Sequence, residues 1–254
     1  MRFTKAIVRT PGASMVDGLT SAGSGKPDYA KALVQHAAYI RALESCGLRV
    51  TVLPADEAFP DSTFVEDPAL VTPAGAIIMR PGAESRRGET AAIEQALAGF
   101  FPNFERIVPP GTVDAGDIMM VGDHYYIGLS KRTNAEGAAQ VIAILEAHGL
   151  TGSTVPLKHI LHLKSAAAYL EDRRIVLGGE LTGRPEFSGF DIIPVEDDEK
   201  YAANCLWIND RVLVAAGFPK MQAAIRARGF ETIPLPMSEF RKLDGGLSCL
   251  SLRF

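Results

Sequence analysis

The chain has 254 residues, 47% of them hydrophobic, which suits one large or two small globular domains and excludes disordered and fibrous classes. The 26 Lys and Arg against 30 Asp and Glu leave a formal net charge of −4, so no basic excess exists to neutralise nucleic-acid phosphates. Three cysteines, Cys46, Cys205 and Cys249, are too sparse for a disulfide framework or a spaced zinc site and fit a reducing cytoplasm.

The first residues lack the apolar core of a secretory signal, and no run approaches the ~18 apolar residues of a membrane span. Leu19 to Asp28, rich in Gly and Ser, is a long connection, either a lid or a passive crossover. Tyr29 to Cys46 then places Leu33, Ala37, Ile40 and Leu43 at helical spacing, and Asn134 to His148 repeats the pattern with Ala138, Val141, Ile142 and Leu145. Leu48 to Leu53 and Glu231 to Leu235 read as strands. Paired apolar runs flank tight turns at Ala74-Gly75, Gly122-Asp123, Asp172-Arg173 and Asn209-Asp210, the mark of hairpins.

One signature recurs along the chain. A Gly followed by Leu or Phe, then a short β-rich run closed by Pro, begins at Gly47, Gly99, Gly149, Gly189 and Gly229. Such a Gly ends a helix in the left-handed conformation, and the apolar residue after it packs back on the last turn. The repeat implies five strand-strand-helix-strand units of roughly 40 to 50 residues, which bury their faces only by stacking on neighbours. The first unit lacks its hairpin and the C-terminal run Gly245 to Leu252 lacks a helix, so pairing the two ends would close a ring. The alternative is an open α/β sheet. The polar stretch Glu196 to Lys200 reads as a solvated turn.

Candidate chemical groups are scattered along the chain. Asp61, Glu66 and Asp67 surround Phe64 and Val65, a pattern suited to holding a partly apolar cation, or simply a solvated acidic loop. Arg86 and Arg87, before a helix, and Arg132, after a strand, could each clamp a carboxylate. Asp114 and Asp117 stand at the mouth of a strand, where one could orient a histidine. His36, His124 and His148 suit surface or capping positions, while His162, flanked by Leu161 and Leu163, suits a partly buried imidazole. Cys249 follows Gly245-Gly246, whose small size permits close backbone approach, and is either a nucleophile or a small buried hydrophobe. Cys46 and Cys205 fit burial.

Taken in order, Phe59 to Pro68, Arg80 to Glu89, Asp114-Ala115-Gly116-Asp117, His162-Leu163-Lys164 and Gly245 to Cys249 resemble the dimethylarginine dimethylaminohydrolase family of guanidino-modifying enzymes, over nearly the full length. The resemblance implies an α/β fold, a five-bladed α/β propeller, with residues 1–254 as one catalytic domain. It implies hydrolysis of Nω-methylated arginines to citrulline and methylamines without metal or organic cofactor, and a small guanidino substrate as partner. By the same resemblance Cys249 is the nucleophile, His162 the general acid and base, and Asp114 its orienting acid. Asp67, supported by Glu66, would grip the guanidinium. Arg86 and Arg132 would hold the substrate carboxylate, and Asp61 with the Leu19 backbone its amino group. Two other readings stand beside this one, an arginine deiminase and a non-catalytic methylarginine sensor. A homodimer is left open.

Overall fold

The structure, a computed structural model, describes residues 2–254. Its strands form five separate three-stranded sheets arranged as the blades of an α/β propeller. The second blade is β3 (Ala69–Thr72), β4 (Gly75–Ile78) and β5 (Phe104–Arg106), and the third is β6 (Ile118–Val121), β7 (His124–Leu129) and β8 (Thr151–Pro156). The fourth is β9 (Ala167–Glu171), β10 (Arg174–Leu177) and β11 (Asp191–Pro194), and the fifth is β12 (Leu206–Ile208), β13 (Arg211–Ala215) and β14 (Glu231–Leu235). In each, a tight antiparallel hairpin is followed by a parallel outer strand.

The first blade is built from both ends of the chain. β1 (Lys5–Arg9) pairs in parallel with β2 (Arg49–Leu53) and antiparallel with β15 (Leu252–Arg253), in the register Ile7 to Leu252. The expected closure of the ring is therefore observed, though the C-terminal strand is shorter than the apolar run suggested. Residues 248–250 turn as a 3₁₀ helix just before it.

Helices connect the middle strand of four blades to the outer one: α1 (Tyr29–Ser45), α2 (Glu89–Leu97), α3 (Ala135–Ala147) and α4 (Pro219–Ala227). Asp28 caps α1 by accepting the Lys31 N–H at 3.0 Å, and Asn134 caps α3 by accepting that of Gly137 at 2.8 Å. Behind α1 and α3, Gly47 (φ 87°) and Gly149 (φ 77°) turn left-handed, and the next residue donates back to the helix, Leu48 to the Leu43 carbonyl and Leu150 to that of Leu145. Two of the five signature glycines differ, because Gly99 and Gly189 are not left-handed. In the fourth unit the expected helix is replaced by two 3₁₀ turns, Gly179–Leu181 and Pro185–Phe187. Gly178, Gly179, Gly183 and Pro185 make a helix there too costly.

Side-chain alternation explains why the blades close. Successive residues of a strand face opposite sides, so each blade buries one set against each neighbour. Ala6 and Val8 join the fifth blade's Leu206, Leu213 and Leu235, whereas Ile7 between them joins Ala69, Ala76 and Ile78 of the second. Val176 packs toward the fifth blade and Ile175 and Leu177 toward the third. The core is thus five clusters, one at each blade interface. No helix among the described residues is long and apolar enough to cross a membrane.

Candidate active site

Loops at one end of the propeller bring together residues far apart in sequence. Leu19, Asp61, Asp67, Arg86, Arg132, His162 and Cys249 line a single narrow cleft, with Phe64, Leu161 and Leu243 as apolar walls. Eight of the nine expected site residues belong to this cleft or touch it, Asp114 through its contact with His162.

His162 occupies an extended position at the start of a 3₁₀ turn, residues 163–165. Its Nε2 meets Asp114 Oδ2 at 3.1 Å. The other Asp114 oxygen accepts the Gly82 N–H at 2.9 Å, and Arg132 Nη1 stands 3.7 Å from Oδ2. Burial by itself pushes the His162 pKa down, but Asp67, Asp117 and Asp114 outweigh it and raise it to about 9. The paired histidine holds Asp114 below the usual carboxylate range despite its burial. The imidazole is therefore protonated at neutral pH, as a proton donor must be.

Cys249 is half-buried in the turn that precedes β15. Burial, with Glu66 and Asp67 nearby, pushes its thiol up to about 12, so the sulfur is protonated in the free protein. Its turn is held from several directions. The Gly246 N–H points at Sγ at 3.4 Å, the Cys249 carbonyl accepts the Glu66 N–H at 3.2 Å, and Asn204 Oδ1 accepts the Ser248 N–H at 3.0 Å. The two glycines before it allow close approach as expected. A Cβ on Gly245 would lie 2.2 Å from the Phe64 ring, and one on Gly246 would lie 2.4 Å from the Asn204 side chain.

Asp67 Oδ1 accepts the Gly116 N–H at 3.1 Å and Oδ2 pairs with Arg86 Nη1 at 2.5 Å. A carboxylate has about four lone-pair sites, so Asp67 keeps capacity for a further donor. Ligand atoms of Asp67, Asp114 and His162 fall within 4.8 Å of one another. Both carboxylates of that trio already accept backbone N–H groups and face cationic side chains. Gly116 makes the approach possible, because a Cβ there would sit 2.7 Å from both Asp67 Oδ1 and His162 Nδ1. Gly116→Ala should push the two apart and cut kcat by about 10²-fold with little loss of thermal stability. Steady-state rates and a melting curve check this.

Two expectations change in the structure. Glu66, expected at the guanidinium, instead meets Ser248 Oγ at 2.8 Å, Lys164 Nζ at 2.7 Å and Arg253 Nη2 at 3.0 Å. It lines a larger axial cavity behind the Cys249 turn, walled by the inner strands β3, β6, β9, β12 and β15, and does not line the cleft. Opposed cations behind the turn attract it more strongly than an open cleft could. Arg86 reaches the cleft wall, yet its guanidinium is taken up by a bidentate pair with Glu89 at 3.0 and 2.8 Å and by Asp67. Burial disfavours its charge, but Asp67 and Glu89 overcome this and hold it firmly protonated. Arg132 is thus the more open of the two expected clamps. Asp61 accepts the Leu19 N–H at 3.0 Å, which anchors the start of the long loop.

Other sequence expectations meet mixed outcomes. Cys46 and Cys205 are buried as expected. His36 is buried inside α1, in neither the surface nor the capping position expected, and burial pushes its pKa down to about 4. Within the expected solvated turn, Glu199 is buried and accepts the Lys220 and Met221 N–H groups at the start of α4. Glu89, Asn204 and Arg253 carry no sequence signal of their own, since each acts through a partner distant in the chain.

Comparison with known proteins adds a family to this geometry. A family model described as eukaryotic N,N dimethylarginine dimethylhydrolase matches residues 22–163. The chain is 59% identical over 253 residues to N(G),N(G)-dimethylarginine dimethylaminohydrolase of Pseudomonas aeruginosa, covering 99% of this chain and 100% of that one. It is 40% identical over 256 residues to the protein of the same name from Streptomyces coelicolor, covering 100% and 98% of the two chains. A solved structure of the Pseudomonas protein, a cysteine-to-serine mutant complexed with citrulline, superposes with a TM-score of 0.99 at 58% identity over 100% of both chains. The N-terminal domain of a cyanobacterial arginine dihydrolase superposes with a TM-score of 0.89 over 98% of this chain and 97% of that one, at 17% identity, a likeness of fold alone.

Proposed function

The chain belongs to the dimethylarginine dimethylaminohydrolase family, and from that premise we propose that it hydrolyses Nω-methylated L-arginines to L-citrulline and methylamine or dimethylamine through a covalent adduct on Cys249. The observation that carries this reading is the convergence of one thiol, one imidazolium and several carboxylates on a single cleft.

A guanidinium is resonance-stabilised and a poor electrophile, so it must be kept cationic while a nucleophile attacks its central carbon. Asp67 serves that purpose, held in place by Arg86 and Gly116. The carboxylate end of the substrate meets Arg132 and the Nη1 hydrogen of Arg86 that Asp67 leaves over. The amino end meets Asp61 and the Leu19 backbone. The bound cation beside Cys249 offsets the negative field of Glu66 and Asp67 and so favours loss of the thiol proton to solvent.

The thiolate then forms a C–S bond to the guanidinium carbon. As the tetrahedral adduct collapses, the C–N bond to the methylated nitrogen breaks and the amine leaves with a proton from His162. The imidazole, now neutral, takes a proton from a water that attacks the alkylthiouronium carbon. As the second tetrahedral adduct collapses, the C–S bond breaks, the hydroxyl proton passes to solvent, and citrulline leaves with the thiolate restored. Asp114 holds the imidazole in orientation through both half-reactions.

Citrulline formation from asymmetric dimethylarginine and from free arginine tests the reading. A kcat/KM for the methylated substrate at least tenfold higher is expected, whereas a preference for arginine would make the protein a deiminase. The cleft residues all belong to one propeller, which supports a single catalytic unit over residues 1–254. Three free cysteines, two of them buried, suit a cytoplasmic setting.

A further inference from the structure

Asp117 is fully buried and accepts three hydrogen bonds, none of them from an Arg or Lys side chain. Oδ1 accepts the Leu163 N–H at 2.9 Å. Oδ2 accepts Ser130 Oγ at 2.6 Å and Thr133 Oγ1 at 2.7 Å. Each donor belongs to a different part of the active site. Leu163 follows His162 directly. Thr133 Oγ1 in turn accepts the Asp114 N–H at 3.2 Å, and Ser130 Oγ accepts the Arg132 N–H at 3.0 Å. The Asp117 N–H closes the circuit on the Asp114 carbonyl at 3.0 Å.

We propose that Asp117 is a positioning residue that locks His162, Asp114 and Arg132 into the mutual geometry the hydrolysis requires. The inference rests on the proposed function for what those three residues do, and on hydrogen-bond directions for the rest. Ser130 Oγ accepts two backbone N–H groups, from Arg132 and Thr133, so its own hydrogen must go to Asp117. Thr133 Oγ1, with the Asp114 N–H behind it, likewise donates forward. All three groups facing Asp117 are therefore donors. An asparagine of the same shape cannot replace it, because either orientation of the amide sets its NH₂ against another donor. A carboxylate is required by direction as well as by charge.

The groups facing His162 are the carboxylates of Asp67, Asp114 and Asp117, with Arg86, Arg132 and the Cys249 thiol at the cleft. Asp117→Asn removes one of the three anions that favour the imidazolium. The parent and three variants, Asp117→Asn, Thr133→Val and Ser130→Ala, separate the arms of the hub. We expect Asp117→Asn to lower kcat by about 10²-fold and to move the His162 titration, followed by imidazole NMR, toward lower pH. Thr133→Val should act mainly on kcat, through Asp114, and Ser130→Ala mainly on KM, through Arg132. If Asp117→Asn does not fold, the opposite responses of the two hydroxyl variants still decide the matter. Rates, KM and His162 titration unchanged in the variants, with only the melting temperature lowered, would overturn the proposal. Absence of methylarginine turnover in the parent would instead overturn the proposed function, while the NMR titration would still report on Asp117.

Discussion

Replacing the Cys249 thiol by a hydroxyl, Cys249→Ser, should abolish citrulline formation, lowering kcat by about 10⁴-fold or more. The reason is proton affinity. The thiol, although pushed up to about 12 in the free protein, can be deprotonated when a guanidinium docks against it. An alcohol lies far beyond the reach of the same charge, and His162, already protonated, offers no base to remove the proton. Ligand affinity should change only a few-fold, because Asp67, Arg132 and Asp61 are untouched, and the serine mutant of the Pseudomonas relative is itself complexed with citrulline. Single-turnover citrulline measurement and calorimetric titration check the two halves. Turnover that survived within tenfold of the parent would remove Cys249 from its assigned role, and would equally argue against any reading in which the protein only senses its ligand.

His162→Ala should lower kcat for dimethylarginine by roughly 10³- to 10⁴-fold, near the upper range for a general acid and base. The deficit should shrink for S-methyl-L-thiocitrulline, whose sulfur leaving group departs without a proton. An equal loss on both substrates would assign the defect to something other than leaving-group protonation. The same variant carries a stability signature. Because the folded-state pKa of His162 is raised to about 9 from an ordinary ~6.5, its protonation stabilises the fold fully below pH ~6.5. That contribution is lost as pH rises through about 9. The difference in melting temperature between parent and variant should therefore be largest near pH 6 and smallest near pH 10.

Much of the fold was legible because its signals are local. A glycine after a helical pattern and a two-residue hairpin turn each act over a few residues, and Gly47, Gly149 and Asn209 behave as their neighbourhoods suggest, Asn209 turning at φ 55°. The fourth unit shows where such a pattern misleads. Gly189 carries the same dipeptide signature as Gly149, but the residues before it cannot hold a helix, so the spacing persists while the element is lost.

The site was legible in its residue types and less so in its contacts. Cys249, His162 and Asp67 line one cleft, and Asp114 stands behind His162. Glu66, adjacent to Asp67, turns to the axial cavity, where Ser248, Lys164 and Arg253 hold its carboxylate. Arg86 remains at the cleft wall but is neutralised by Glu89, three residues away, a pairing that spacing permits without requiring. Asp117 stood beside Asp114 as an equal candidate to orient the histidine, and only the hydrogen-bond directions separate the acid that touches the imidazole from the one that holds its loop.

The sequence by itself determined the spacing of the repeat and the chemical inventory of the site, since each follows from local backbone preference or from the kinds of side chain available, whereas the choice between a closed ring and an open sheet was decided by the pairing of β1 with β15. The tertiary structure alone decided which carboxylate serves which partner. That assignment depends on the angle and distance between segments far apart in the chain, 187 residues apart for Glu66 and Arg253. Those angles are set by five apolar interfaces packed between blades, far from the charges they bring into contact.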